Sequence, residues 1–161
     1  MNKAKIFVDK ILLGLSSLLL LSMVALTLWQ VIARYFLNVA SPGTEELTRF
    51  LLIWFGLITA AYVFGAKKHI AILVFRERFS PKTQRMIQRF TDLLVLLVAA
   101  ILMVYGGMKV VLLTAAQTAA ATGISMAYVY FCLPLSGLFI IFYTIYHMKH
   151  NTTNENEEVG V

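Results

Sequence analysis

Apolar residues gather along this chain in four long runs: Ile11–Ala33, Leu47–Ala66, Leu93–Thr114 and Ala127–Tyr146. Each is close to the roughly 20 residues a helix needs to cross the hydrocarbon core of a bilayer. The first, at about 1.5 Å per residue, reaches about 34 Å and can cross with some tilt. The pattern therefore predicts an all-α protein with four transmembrane helices. The second run is the most sharply bracketed. Phe50 to Ala66 carries no charge, Glu45 and Glu46 stand before it, and Lys67-Lys68-His69 closes it.

The connections carry their own signals. Asn38 to Gly43, with Ser41-Pro42-Gly43 at its end, reads as a turn. Thr44, or Ser41 with Pro42 behind it, can cap the second helix. Glu45 and Glu46 then fall in its first turn, where negative charge suits the helix dipole. Ile70 to Phe75 is apolar but too short to span. From Pro81, Met86, Ile87, Phe90 and Leu94 recur at helical spacing among Lys82, Arg85, Gln88 and Arg89. That predicts an amphipathic interfacial segment over about 70–92, running into span three. Ala115 to Ser125 is uncharged and rich in Ala, Thr and Gly, which fits either an extension of helix three or a re-entrant stretch.

Composition agrees. Of 161 residues, 60% are hydrophobic and 14% charged, against roughly 45–50% and 25% in ordinary globular domains. Residues 1–150 read as one membrane domain with no room for a soluble catalytic domain, and the polar, acidic 151–161 as a disordered cytoplasmic tail. The net charge of +6 is unevenly spread. Lys3, Lys5 and Lys10 precede span one, and Lys67, Lys68, Arg76, Arg78, Lys82, Arg85 and Arg89 lie between spans two and three. Basic loops stay in the cytoplasm, so both termini are placed inside. The basic stretch reads as juxtamembrane, in contact with anionic lipid, and not as a nucleic-acid site. Span one is too long for a cleaved signal peptide. Cys132 is alone, so no disulfide forms within the chain.

Few residues carry candidate chemistry. Glu45 and Arg49 are at i,i+4 in the favourable order for a local ion pair. Glu46 and Arg34, near the same outer edge, suggest a pair that locks the first hairpin or meets another subunit. Gly56 with Ala60, and Ala61 with Gly65, have the small-residue spacing that lets helices approach closely in lipid. Trp54 lies inside span two, as a lipid-facing aromatic or against a partner helix. Lys109, about five residues from the outer end of span three, can snorkel to the headgroups or contact a subunit. His147 and His150, beside Lys149, read as a charged cytoplasmic edge. The spans hold no acid for proton transfer and no paired His, Cys or acids for catalysis, so no enzyme activity, cofactor or metal is expected.

In order, Arg34-Tyr35-x-x-Asn38, Glu45-Glu46-Leu47-x-Arg49, Trp54-x-Gly56 and His69-Ile70 resemble the small (DctQ-type) membrane subunit of tripartite ATP-independent periplasmic (TRAP) transporters. Gly107, Gly123-Ile124 and Pro134 extend the match, from about residue 10 to 148. The resemblance implies a bacterial inner-membrane subunit, multi-pass, that braces the scaffold of a large permease. It implies sodium-driven uptake of a carboxylate-bearing solute delivered by a periplasmic binding protein. Together with the residue reading above, this leaves Arg34, Glu45, Glu46, Arg49, Trp54, Gly56, Ala60, His69 and Lys109 as the expected interface or structural residues. The alternative is a self-contained small transporter or channel built as a homo-oligomer.

Overall fold

The computed structural model describes residues 3–65 and 81–158, and within them the chain is helical throughout its long elements. Helix α1 covers Lys3–Phe36 and α2 covers Pro42–Gly65. Helix α3 covers Pro81–Val98 and passes into a π-helical stretch, Ala99–Gly106, and then α4, Gly107–Leu113. Helices α5, Met126–Tyr130, and α6, Cys132–Glu158, form the last span. Four helical stretches are long and apolar enough to cross a membrane: Lys5–Phe36, Pro42–Gly65, Arg89–Leu113 and Met126–Met148. His69 and the apolar segment 70–80 lie outside the described residues.

The helix ends follow local chemistry. Asn38 adopts a left-handed conformation (φ 52°), which an L-residue with a short polar side chain tolerates best. The chain turns there, and the Val39 N–H reaches back to the Ala33 carbonyl at 3.1 Å. Pro42 then opens α2, a position where its missing N–H costs nothing. In α1 the hydroxyls of Ser17, Ser22 and Thr27 each donate to the carbonyl four residues back, at 2.8–2.9 Å. In hydrocarbon that is how an isolated hydroxyl is satisfied. At the other terminus α6 continues to Glu158, whereas composition predicted disorder from residue 151. Extending an existing helix is far cheaper than nucleating one, so the polar residues follow the span.

Helix α6 is the centre of the bundle. The buried share of the most apolar stretch of the last span, to which α6 contributes most, is 44%, against 11% in each of the other three spans. Helix α2 packs between α1 and α6, and the π-helical part of span three packs on the other side of α6. Leu12, Ile58 and Tyr143 form one buried cluster, with Trp54, Tyr62 and Phe139 against it. Ala61, Ala99 and Ile140 form a second. Polar links cross between α1 and α2: Gln30 Nε2 donates to Thr48 Oγ1 at 2.9 Å, and Thr59 Oγ1 to Ser16 Oγ at 3.2 Å.

Close approach depends on small residues. At Gly137 on α6 a Cβ would stand 2.8 Å from Met103 Cβ, in the π-helical stretch. At Gly107 it would stand 3.0 Å from Pro134 Cδ. Pro134 has no N–H to give the carbonyl four residues back, and the last span breaks there, between Tyr130 and Cys132. Gly107 thus receives the bulge of that break. At Gly65 an added methyl would land within the Tyr143 ring.

Gly65→Ala should therefore destabilise the bundle by about 1–3 kcal/mol, as overpacking does. Gly56→Ala, with nothing within 4 Å of its Cβ position, should stay within about 0.5 kcal/mol of wild type. Thermal unfolding of the purified chain in detergent compares the two.

Candidate functional sites at the two ends of the bundle

Polar side chains collect at the two ends of the helices. One end holds the 37–41 turn and residues 114–125; the other holds the start of α1, the end of α2 and the carboxy-terminal part of the last span. At the first, residues 114–125 form neither a helix nor a plain crossing. They make a compact hairpin with an antiparallel bridge between Thr118 and Ser125. Ala119 N–H donates to Ile124 O at 2.8 Å, Gly123 N–H to Ala119 O at 2.9 Å, and Met126 N–H to Gln117 O at 2.9 Å. Gly123 takes φ 68°, a turn conformation that glycine adopts without strain. Ser125 caps α5 through its hydroxyl, which also donates to Ala115 O at 3.0 Å.

Glu46 holds this hairpin. Its Oε2 accepts from Ala121 N–H at 3.1 Å, Thr122 N–H at 2.8 Å and Thr122 Oγ1 at 2.8 Å. Gly43, one turn earlier on α2, lies beneath the same two residues, 3.8 Å from Thr122 Cγ2 at its Cβ position. The tip leaves two adjacent amides without hairpin partners, and a carboxylate from α2 accepts both, a charge-assisted arrangement. This corrects the expectation for Glu46: the acid joins the hairpin and not Arg34. Among the described residues Glu45 and Arg49 do not pair either. Arg34, Glu45 and Arg49 are all exposed. A carboxylate accepting three short donors has no need of a cation from α1, and the donors come from a loop that looked featureless in one dimension.

The other predicted residues fall into two groups. Trp54 packs within the chain, against the Leu12–Ile58–Tyr143 cluster. Ala61 and Gly65, the second small pair, are buried against α6 and its neighbours. Gly56 is exposed and meets nothing, and Ala60 beside it is half-buried. Lys109 is exposed, with its Nζ 4.6 Å from the centroid of the Tyr105 ring, one turn back.

The second end was misread from sequence. Helix α1 begins at Lys3, so Asp9, ahead of the predicted span, lies on the same helix as the span. The Tyr143 hydroxyl donates to Asp9 Oδ1. His147, predicted at a charged edge, is buried, and its Nε2 lies 3.1 Å from the Gly65 carbonyl. The signal available in advance was that Tyr143 and His147 are at i,i+4 on the last span, one above the other.

No group of three or more His, Cys, Asp or Glu among the described residues could hold a metal. The profile of the DctQ component of tripartite ATP-independent periplasmic transporters matches residues 23–154 of this chain.

The chain belongs to the DctQ family.

Similar proteins agree. Two TRAP transporter small permease proteins of Haemophilus influenzae are 26% and 28% identical over 134 and 145 residues. These matches cover 83% of this chain and 83% of the first, and 88% of this chain and 86% of the second. The sialic acid TRAP transporter small permease protein SiaQ of Vibrio cholerae is 28% identical over 129 residues, 77% of this chain and 71% of that one. A DctQ protein is a subunit of a transporter and not an enzyme. With four apolar helices the chain is a multi-pass protein of the bacterial inner membrane. The Glu45-Glu46 opening to α2 acquires a physical reading here, because the second acid anchors the hairpin while the first is exposed.

Replacing Glu46 by Ala should release the hairpin, and replacing Glu45 by Ala should not. Amide hydrogen exchange at Ala121 and Thr122 should accelerate in the first variant and match wild type in the second.

Proposed function

We propose that this chain is the small subunit that packs on and braces the scaffold of a large TRAP permease. The complete transporter takes up a carboxylate-bearing solute, driven by sodium, after a periplasmic binding protein delivers it. The observation that carries this reading is how little of three spans the chain itself covers. Their most apolar stretches are 11% buried within the chain, and α2 presents Leu52, Ile53 and Gly56 outward. Helix surfaces of this kind, with a small residue at close-approach spacing, suit packing against other helices in lipid.

The interior supports a role without translocation chemistry. Of the buried polar side chains of the last span, Ser136 and Thr144 bond to carbonyls of their own helix, and His147 meets the Gly65 carbonyl. Asp9, the acid at the terminal end, is bonded to Tyr143. No charged side chain lies buried at mid-depth among the described residues, where ion and substrate pathways place theirs. The carboxylate class of solute is supported by the V. cholerae relative, whose name includes an acid.

The distribution of Lys and Arg supports an orientation with both termini in the cytoplasm and the Glu46-anchored hairpin outside. That position would let the hairpin meet the binding protein. It also sets the start of α3, with Met86, Ile87 and Phe90 exposed among basic residues, at the inner headgroups.

Two measurements test the reading. In a background with Cys132 replaced, a cysteine at position 123 should react with an impermeant thiol reagent from the periplasmic side; labelling from the cytoplasmic side alone refutes the orientation. Liposomes containing this chain alone should show no sodium-gradient-driven uptake. Adding the large permease and the loaded binding protein should produce it. Solute flux through the chain alone would replace this reading with the homo-oligomeric small transporter.

A further inference from the structure

The terminal end of the bundle holds a constellation that neither the family motifs nor the proposed function uses. Tyr143 is 1% exposed, and its ring lies where any side chain at Gly65 would be. A tyrosine hydroxyl enclosed among apolar groups needs an acceptor. It finds Asp9, on α1, near the opposite end of the sequence. Asp9 is half-buried in an apolar helix, where an acid needs a partner as much as the phenol does. Each group thus answers the other's cost.

One turn along α6, His147 is buried and meets the carbonyl of Gly65, the last residue of α2. A carbonyl can only accept, so Nε2 carries the proton in this contact. Gly65 therefore does two things: it admits the Tyr143 ring and offers its oxygen to His147. Edge-to-face contacts of Phe142 with Tyr143 (5.7 Å) and of Tyr146 with His147 (5.9 Å) steady both rings.

We propose that Asp9, Tyr143 and His147 form a clasp that joins the terminal ends of α1, α2 and α6 into one body, with Asp9 the positioning residue that docks α1. The bond between Asp9 and Tyr143 links the first span, which packs chiefly on α2, directly to the last. The rigid body it creates is the form in which the chain would meet its large partner, and this last step rests on the subunit reading above.

The test uses the complete transporter, reconstituted with the large permease and the binding protein. Amide hydrogen exchange is followed over residues 5–12 and 60–65. Losing a hydrogen bond to a charged group should raise local opening of 5–12 about tenfold in Asp9→Ala and in Tyr143→Phe. The double variant should add little, because both changes break one bond. Asp9→Asn keeps an acceptor oxygen and should stay near wild type in exchange and in uptake. His147→Ala should speed exchange at 60–65 and leave 5–12 unchanged. Uptake should fall in Asp9→Ala and Tyr143→Phe and be retained in Asp9→Asn.

Unchanged exchange at 5–12 in both single variants, or fully additive effects in the double, overturns the clasp. Accelerated exchange with full uptake overturns the positioning role and leaves the clasp. Failure of the wild-type chain to co-purify with the large permease refutes the subunit reading, and the exchange data on the chain still decide the clasp.

Discussion

Close approach of helix backbones at glycine is the constraint on which the rest of this structure depends. In lipid, apolar side chains gain little by leaving their surroundings, because hydrocarbon is as apolar as leucine. What holds helices together is contact at short range and hydrogen bonds that have no water to compete with. Helix α6 obtains both. It meets α2 at Gly65, the π-helical stretch at Gly137 and α4 at Gly107. The break before Pro134 is tolerated because Gly107 leaves room for it. These contacts make α6 the buried axis and leave the outer faces of the other spans for lipid or partners.

The polar links then fix the ends of the helices. At one end a carboxylate on α2 fastens a hairpin that connects spans three and four. At the other, a phenol and an imidazole on α6 fasten α1 and the end of α2. Helix α2 is thus tied near its first turn by Glu46 and at its last residue by Gly65. Between these ties, Gln30–Thr48 and Ser16–Thr59 join it to α1. A helix fixed along its length in this way can present a free face without deforming, which suits a bracing subunit better than a moving carrier.

The π-helical stretch fits this arrangement. Its bonds run five residues back, with Gly107 N–H to Leu102 O. The extra residue per turn shifts Met103 and Val104 onto Gly137. A plain α-helix, as hydropathy alone suggests for span three, would present different residues at that contact. The run Ala99 to Gly106 is apolar throughout, so its composition carries no mark of the change.

By itself the sequence determined the number of spans, the helix-starting prolines at 42 and 81, and the turn at Asn38. It also carried the match to the DctQ family over residues 23–154. All of these rest on hydropathy or on short-range stereochemistry, which neighbouring residues settle among themselves. Trp54 and the glycines were likewise visible as residues that needed a reason. Their partners were not, nor was the partner of Glu46, which looked free to pair with Arg34. Asp9, among the lysines ahead of the first apolar run, carries no sign in sequence of its partner on the last span. Each of these was decided by tertiary structure, since the group that satisfies it lies on a helix or loop distant in the chain. A buried polar atom is satisfied by whatever packing brings within 3 Å, and one-dimensional order does not record that distance.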